Sequence, residues 1–202
     1  MADIKLATPF HPIQDVFTRR WSPYFFETRP VPDVDLQAVF EAARWAPSSY
    51  NEQPWRFIVT DRRDSEKFEA AIECLWNANK DWARSAPILI FGVYSKFFAL
   101  NGMVNRAAEH DLGLATENLI LEATARGLFA HPMIGVSPDK VKTCCGIPDG
   151  YETLTALALG YKADPSDSAP ALKERDTTPR TRKRQDQFVF SGQWDSPIVF
   201  KG

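Results

Sequence analysis

The run at residues 87–94 (PILIFGVY) constrains this chain more than any other stretch. Every position between its flanking proline and tyrosine is apolar or glycine, and turn residues bound it on both sides. A short run without polar alternation reads as a strand in the middle of a sheet rather than at its edge. The remaining segments must therefore supply neighbours for that strand and layers to cover it.

They do so in alternation. Leu36, Val39, Phe40 and Ala43 recur at helical spacing after Asp33 or Asp35, either of which can open a helix, and Pro47 ends it near Trp45. Residues 56–60 (RFIVT) read as a short buried strand. Asp64 is placed to cap a helix that carries Phe68, Ala71, Ile72 and Leu75 on one face. The longest helix is expected over residues 105–126, with Leu112, Thr116, Leu119, Ile120 and Ala123 as its stripe and Gly127 as its stop. Gly113 and Ala115 thin another side of it, where a second helix could approach. Ser137 opens a short helix that ends at Gly146, residues 153–161 (TLTALALGY) form the next strand, and residues 188–190 read as a final strand-like piece. Helices thus alternate with three or four strands, which is a layered α/β or α+β domain.

No repeat or low-complexity linker divides the 202 residues, so one domain is expected over 1–202. Residues 1–12 form an N-terminal tail. Residues 163–202, rich in proline and charge, form an extended arm that wraps the domain or a second subunit.

Composition narrows the function. Hydrophobic residues at 44% and charged residues at 25% fit a globular chain. The 24 basic and 26 acidic residues leave a net charge of −2, which gives no general attraction to nucleic acid or to an anionic membrane. The apolar runs are far short of a membrane span, and residues 1–11 lack the basic start and apolar core of a signal peptide. Cys74, Cys144 and Cys145 contain no C-x-x-C pair and suit a reducing, cytoplasmic setting, with Cys144 and Cys145 read as a reduced pair at a helix end although a vicinal disulfide is the alternative. The three histidines have no helical ligand spacing, so no metal site is expected. Six Trp, 14 Phe and 5 Tyr are many aromatics for this length.

The common nucleotide and hydrolase fingerprints, G-x-x-x-x-G-K-[ST], G-x-G-x-x-G and G-x-S-x-G, are missing. Three polar clusters remain. Residues 19–24 (RRWSPY) pair two arginines with a serine, which can bind phosphate or simply be a solvated arm. Residues 46–55 (APSSYNEQPW) concentrate amides and hydroxyls that suit a polar heteroaromatic ring, or that cap their own loop. Residues 180–184 (RTRKR) are a solvated charge run, a nucleic-acid contact, or part of a phosphate site shared with Arg20.

Arg20-Trp21-Ser22-Pro23 followed by residues 41–59 (EAARWAPSSYNEQPWRFIV) closely resembles the FMN-dependent nitroreductase family. Residues 79–83 (NKDWA) with 86–90 (APILI), then 110–115 (HDLGLA), 147–148 (IP) with 158–161 (ALGY), and Arg180-x-Arg182 with 188–190 (FVF) follow in the family's order. The resemblance covers roughly residues 13–194. It implies an α+β fold with a mixed, largely antiparallel sheet flanked by helices. It also implies a homodimer in which the C-terminal arm is exchanged and FMN lies at the interface.

By resemblance, Arg20, Ser22, Arg180 and Arg182 hold the phosphate end of FMN, and Trp21 lies within the same element. Pro47, Ser48, Ser49, Asn51 and Gln53 come from the partner chain, and Asn79 meets the pyrimidine edge. Pro132, Met133, Ile134 and Gly135 bring their backbone to the ring. Tyr24 stands where many members carry a cation, and Arg19 is a candidate substitute. Phe97 and Phe98 lie in the segment that forms a substrate lid, and are also plausible core residues. The implied reaction is ping-pong: NAD(P)H gives a hydride to flavin N5, and a nitroaromatic, quinone or similar acceptor then takes it. The flavin does the chemistry, so no protein residue is assigned as acid, base or nucleophile. Dehydrogenation, dehalogenation or flavin fragmentation on the same fold is the first alternative. A binding module using residues 180–184 is the second.

Overall fold

A computed structural model describes residues 4–200; residues 1–3 of the N-terminal tail and 201–202 of the arm lie outside the described residues. The expected central strand is there as β2 (Ile88–Ser95). It pairs on one side with β1 (Trp55–Asp61) and on the other with β4 (Tyr151–Gly160), and β4 pairs in turn with β3 (Phe129–Met133). The order is β1-β2-β4-β3 and all three pairings are antiparallel, so among the described residues the sheet has no parallel component and "mixed" is too broad.

The uniform apolarity of β2 follows from burial on both faces. Ile88 and Ile90 point into a cluster with Val39, Leu112, Leu119 and Leu157, while Leu89, Phe91 and Val93 point into a second with Phe68, Ile72, Trp82 and Val141. The first face is covered by α2 (Asp33–Arg44) and α5 (Ala108–Ala125). The second is covered by α3 (Ser65–Ile72), α4 (Asn77–Ala83) and α6 (Pro138–Cys145). Gly92 makes room for the neighbouring strand: a Cβ there would stand 2.8 Å from Thr155 Cγ2 on β4, and Leu112 of α5 packs over the same spot. Expected ends hold at several helices. Asp64 accepts from the Lys67 N–H at 3.3 Å, and α6 ends on Gly146 at φ 63°, a left-handed stop that favours glycine.

Other expectations shift. The long helix begins at Ala108 rather than 105, because the Asn105 Oδ1 takes the Ala107 N–H at 3.0 Å and makes a turn there instead. Leu75 lies beyond α3 and bridges to Val136. Ser137 stands at the start of α6 without a capping bond from its hydroxyl. The segment 188–190 does not join the sheet. Phe190 bridges only to Pro197, because the chain turns back on itself between them. The arm is not extended throughout either: Pro170 starts the helix α7 (Pro170–Thr177), which docks on its own chain through the buried Asp176. The tryptophans divide evenly, with Trp21, Trp55 and Trp82 in the core and Trp45, Trp76 and Trp194 exposed.

Candidate functional site

Arg20 follows the short helix α1 (Asp15–Arg19), and its half-buried guanidinium lies 3.5 Å from Ser22 Oγ. Burial lowers its pKa, Glu117 on α5 opposes that, and the nearby Arg182 lowers it further. Desolvation raises the Glu117 carboxyl in turn. Arg180 has a bracing position, donating to the carbonyls of Thr18 and Arg20 and so tying the arm to the loop that carries Arg20. The structure thus gathers Arg20, Ser22, Arg180 and Arg182 as expected. Arg20 thus lies within electrostatic reach of a second cation, Arg182, and of one carboxylate, Glu117, and paired guanidinium groups suit a polyanion such as phosphate. The Trp21 ring is buried edge-on against Phe129 at 5.8 Å, so this residue supports the loop from within the core.

The next residues bind this loop to β3. The Pro23 carbonyl accepts from His131 Nδ1 at 2.8 Å, which fixes the imidazole proton on that nitrogen. Burial holds His131 below the usual histidine range. Its ring lies 4.4 Å from Trp82 and 4.7 Å from Tyr24, and Tyr24 is 5.2 Å from Trp82. Tyr24 itself is held by α7: its N–H donates to the Asp176 carboxylate at 3.0 Å, and its hydroxyl accepts from Arg175 at 3.0 Å. The cation beside Tyr24 is Arg175, a residue whose sequence context gave no hint of it.

Past β3 the chain passes the buried Met133 and the exposed Ile134 to Gly135. The Gly135 carbonyl accepts from the Trp76 N–H at 2.9 Å and from Asn79 Nδ2 at 3.1 Å, while Asn79 Oδ1 accepts from Trp82 Nε1 at 3.3 Å. A Cβ on Gly135 would overlap the Asn79 amide. Asn79 and Gly135 thus form one cradle, continuous with the Arg20 loop through Pro23, His131 and Trp82.

The loop at residues 47–53 has a different character. Tyr50, Asn51 and Gln53 adopt φ of 54°, 56° and 51°, left-handed values that side chains other than glycine rarely tolerate. Such conformations persist only where the surroundings impose them. Here Ser48 Oγ accepts from the Gln53 N–H at 3.0 Å, and Gln53 Nε2 donates to Asn51 Oδ1 at 3.1 Å. The Ser49 N–H donates to Asp111 at 3.0 Å, and Glu52 accepts from the Ala99 N–H at 2.8 Å. Asp111 is 2% exposed, and neither it nor Glu52 was predictable as an anchor from spacing. Pro47 is exposed at the entry to the loop. Phe97 and Phe98 lie outside the core in a small hairpin over residues 97–104, where Phe97 bridges to Val104 and Phe98 meets the Tyr50 ring edge-on at 5.9 Å.

The two halves face different sides of α5. Asp111, which holds the loop, and Glu117, which faces Arg20, are six residues apart, so they are rotated by about 120° and offset by about 9 Å along the axis. Cys74, Cys144 and Cys145 are free thiols, and burial raises Cys74 to about 12 and Cys145 to about 11, which keeps both protonated.

An antiparallel sheet between two helical layers, with an arginine cluster and a strained amide-rich loop on its surface, defines an α+β domain. The nitroreductase family model matches residues 17–161, and the chain belongs to that family of oxidoreductases. An uncharacterized 15.4 kDa protein of Mycolicibacterium smegmatis is 34% identical over 152 residues, covering 71% of this chain and 99% of its own. A provisionally named NADH dehydrogenase/NAD(P)H nitroreductase of Archaeoglobus fulgidus is 30% identical over 157 residues, covering 75% and 86%. A crystal structure described as an oxidoreductase containing FMN superposes with a TM-score of 0.89 at 30% identity, covering 97% of this chain and all of that one.

Proposed function

We propose that this chain is an FMN-dependent NAD(P)H oxidoreductase that works as a homodimer and reduces nitroaromatic, quinone or similar acceptors in a ping-pong cycle. The observation that carries the reading is the continuity of a cation cluster, Arg20 with Ser22 and Arg182, with the cradle at Asn79 and Gly135. A phosphate dianion at one end and a flat polar ring at the other match those two donor sets. The family membership and the FMN-containing neighbour support it.

In this reading Arg20, Ser22 and Arg182 bind the phosphate, and Arg180 keeps the Arg20 loop in place. Asn79 and the backbone of 132–135 hold the ring edge, and Trp82, His131 and Tyr24 exclude water from its flank. The loop 47–53 of the second copy completes the site. Bound FMN supplies the hydride acceptance and donation; the protein positions and tunes it. The second copy is supported by the two-sided arrangement about α5 and by exposed apolar residues such as Phe10, Trp45, Ile134 and Trp194, which are expensive to leave in water. A cytoplasmic setting accords with the three free cysteines. The test is the visible spectrum of the purified protein under anaerobic NADH or NADPH: a bound flavin that bleaches supports the reading, and a colourless protein that consumes no nicotinamide after FMN is added overturns it.

A further inference from the structure

Cys74 and the pair Cys144-Cys145 are far apart in sequence, yet the fold brings them together where the end of α3 meets α6. The Leu75–Val136 bridge sets the two segments side by side, and the Ser137 N–H donates to the Cys74 carbonyl at 2.8 Å. Lys140 Nζ donates to the Glu73 carbonyl at 3.3 Å, so the first turn of α6 faces the same segment. Val141 and Cys74 are buried in one cluster, and Cys145 packs against it. Cys144 and Cys145 follow Val141 by three and four positions, which puts both on its face of the helix. The Cys144 thiol is accordingly close enough to Cys74 and to Cys145 to act on both. The three differ in access: Cys74 is 2% exposed, Cys145 is half-buried and Cys144 is exposed. A cleft of about 450 Å³ opens beside the pair, lined by Cys144, Cys145, Ala70, Ala71 and residues 58–60 of β1. Cys74 Sγ donates to the Ala70 carbonyl at 3.4 Å, next to the wall of that cleft.

We propose that Cys144 is an oxidation site for a small hydroperoxide and that Cys74 resolves it as an intramolecular disulfide. With hydrogen peroxide, the Cys144 sulfur attacks the O–O bond, which breaks to give a sulfenic acid and one water. Cys74 Sγ then displaces the hydroxyl from Cys144 sulfur, and the Cys74 proton leaves with it as a second water. The two thiols lose two electrons and the peroxide gains them. Cys145 is a poor partner for Cys144. Consecutive Cα atoms lie about 3.8 Å apart, short of the roughly 4.4–6.8 Å that a disulfide usually spans, so the helix would have to distort. Cys74 stands on a separate segment and is not under that restriction. The bond would tie together the two segments that meet at the cradle, because Trp76 and Asn79 follow Cys74 closely and Gly135, their shared acceptor, just precedes α6.

The experiment treats the reduced full-length protein with hydrogen peroxide, blocks the remaining thiols and maps the peptides by mass spectrometry, beside Cys144→Ser and Cys145→Ser. A Cys74–Cys144 linked pair should form in the natural sequence and in Cys145→Ser, and should be missing from Cys144→Ser. Oxidation should raise the thermal midpoint by about 5–15 °C, because the closed loop restricts the unfolded chain, and dithiothreitol should reverse the rise. Amide exchange at residues 75–79 and 134–137 should slow in the oxidised protein. In Cys74→Ala the sulfenic acid should persist on Cys144 and be trapped by dimedone. A Cys144–Cys145 bond, a bond between two copies, a sulfinic or sulfonic acid at Cys144 in place of the disulfide, or an unmodified Cys144 overturns the proposal. A Cys74–Cys144 bond that leaves exchange at 75–79 and 134–137 unchanged overturns the tie to the cradle. The linked peptides are read with or without bound flavin, so this outcome is separate from that of the oxidoreductase reading.

Discussion

The loop at residues 20–24 and the loop at 47–53 are both short, polar and rich in hydrogen bonds, yet they are held in opposite ways. The first has ordinary backbone angles and is braced by distant parts of its own chain: Arg180 from the arm, Asp176 from α7 and His131 from β3. The second has three left-handed side-chain-bearing residues and is held by point contacts, from Asp111 to its Ser49 N–H and from its own Glu52 to the Ala99 N–H. Each left-handed residue costs on the order of 1–3 kcal/mol. A relaxed, cross-braced loop is a surface already completed by its own fold. A strained loop held at few points on another side of α5 is, in the proposed reading, the half of the site that a second copy uses.

The sharpest way to break the first half is Gly135→Ala. Its Cβ has no room beside Asn79, so the cradle must shift; we expect a loss of about 1–3 kcal/mol in a denaturant melt, together with loss of bound flavin. Arg20→Ala removes a charge-assisted phosphate contact and should weaken FMN binding by about ten- to a hundredfold, read by flavin titration with the melt nearly unchanged. Asp176→Ala leaves the Tyr24 N–H without its acceptor and should cost about 1–2 kcal/mol, with earlier proteolysis of α7 and the arm.

The smallest effect is a pH dependence. His131 has a folded pKa below its unfolded value of about 6.5, so the unfolded chain binds the proton first. Stability is therefore full above about pH 6.5 and declines as pH falls through that value toward the lower folded pKa. Raised folded pKa values at Glu117 and Asp176 act in the opposite sense at more acidic pH. His131→Gln should flatten the decline between neutral and mildly acidic pH in thermal melts, whereas substitutions in the loop 47–53 should leave that slope as it is.

Much of the fold was legible because burial writes itself into periodicity. The uniform apolarity of 87–94 required two covering layers, the stripe on α5 located its buried face, and the Asp64 cap and Gly146 located two helix boundaries. β3 was not legible as a strand, since Phe-Ala-His-Pro-Met breaks alternation; an edge position with one pairing partner tolerates Pro132. α4 and α7 are short, polar helices stabilised by tertiary contacts rather than by a stripe. The candidate site residues stood out as motifs, but the residues that support them in the fold did not. Asp111, Glu117, Arg175 and Glu52 act through approaches between distant segments, and charge spacing along a chain carries no record of those. The division of the site across α5 likewise needs the helix in three dimensions.

That division is tested most directly by mixing two defective variants, Arg20→Ala and the double variant Asn51→Ala/Gln53→Ala, each expected to retain little flavin alone. If each site takes its arginine cluster from one copy and its loop from the other, every mixed dimer regains one intact site. Random re-pairing should then restore about a quarter of the wild-type flavin and NAD(P)H-dependent bleaching. A mixture that holds no more flavin than its two components would place both halves of the site within one chain and contradict the two-copy arrangement.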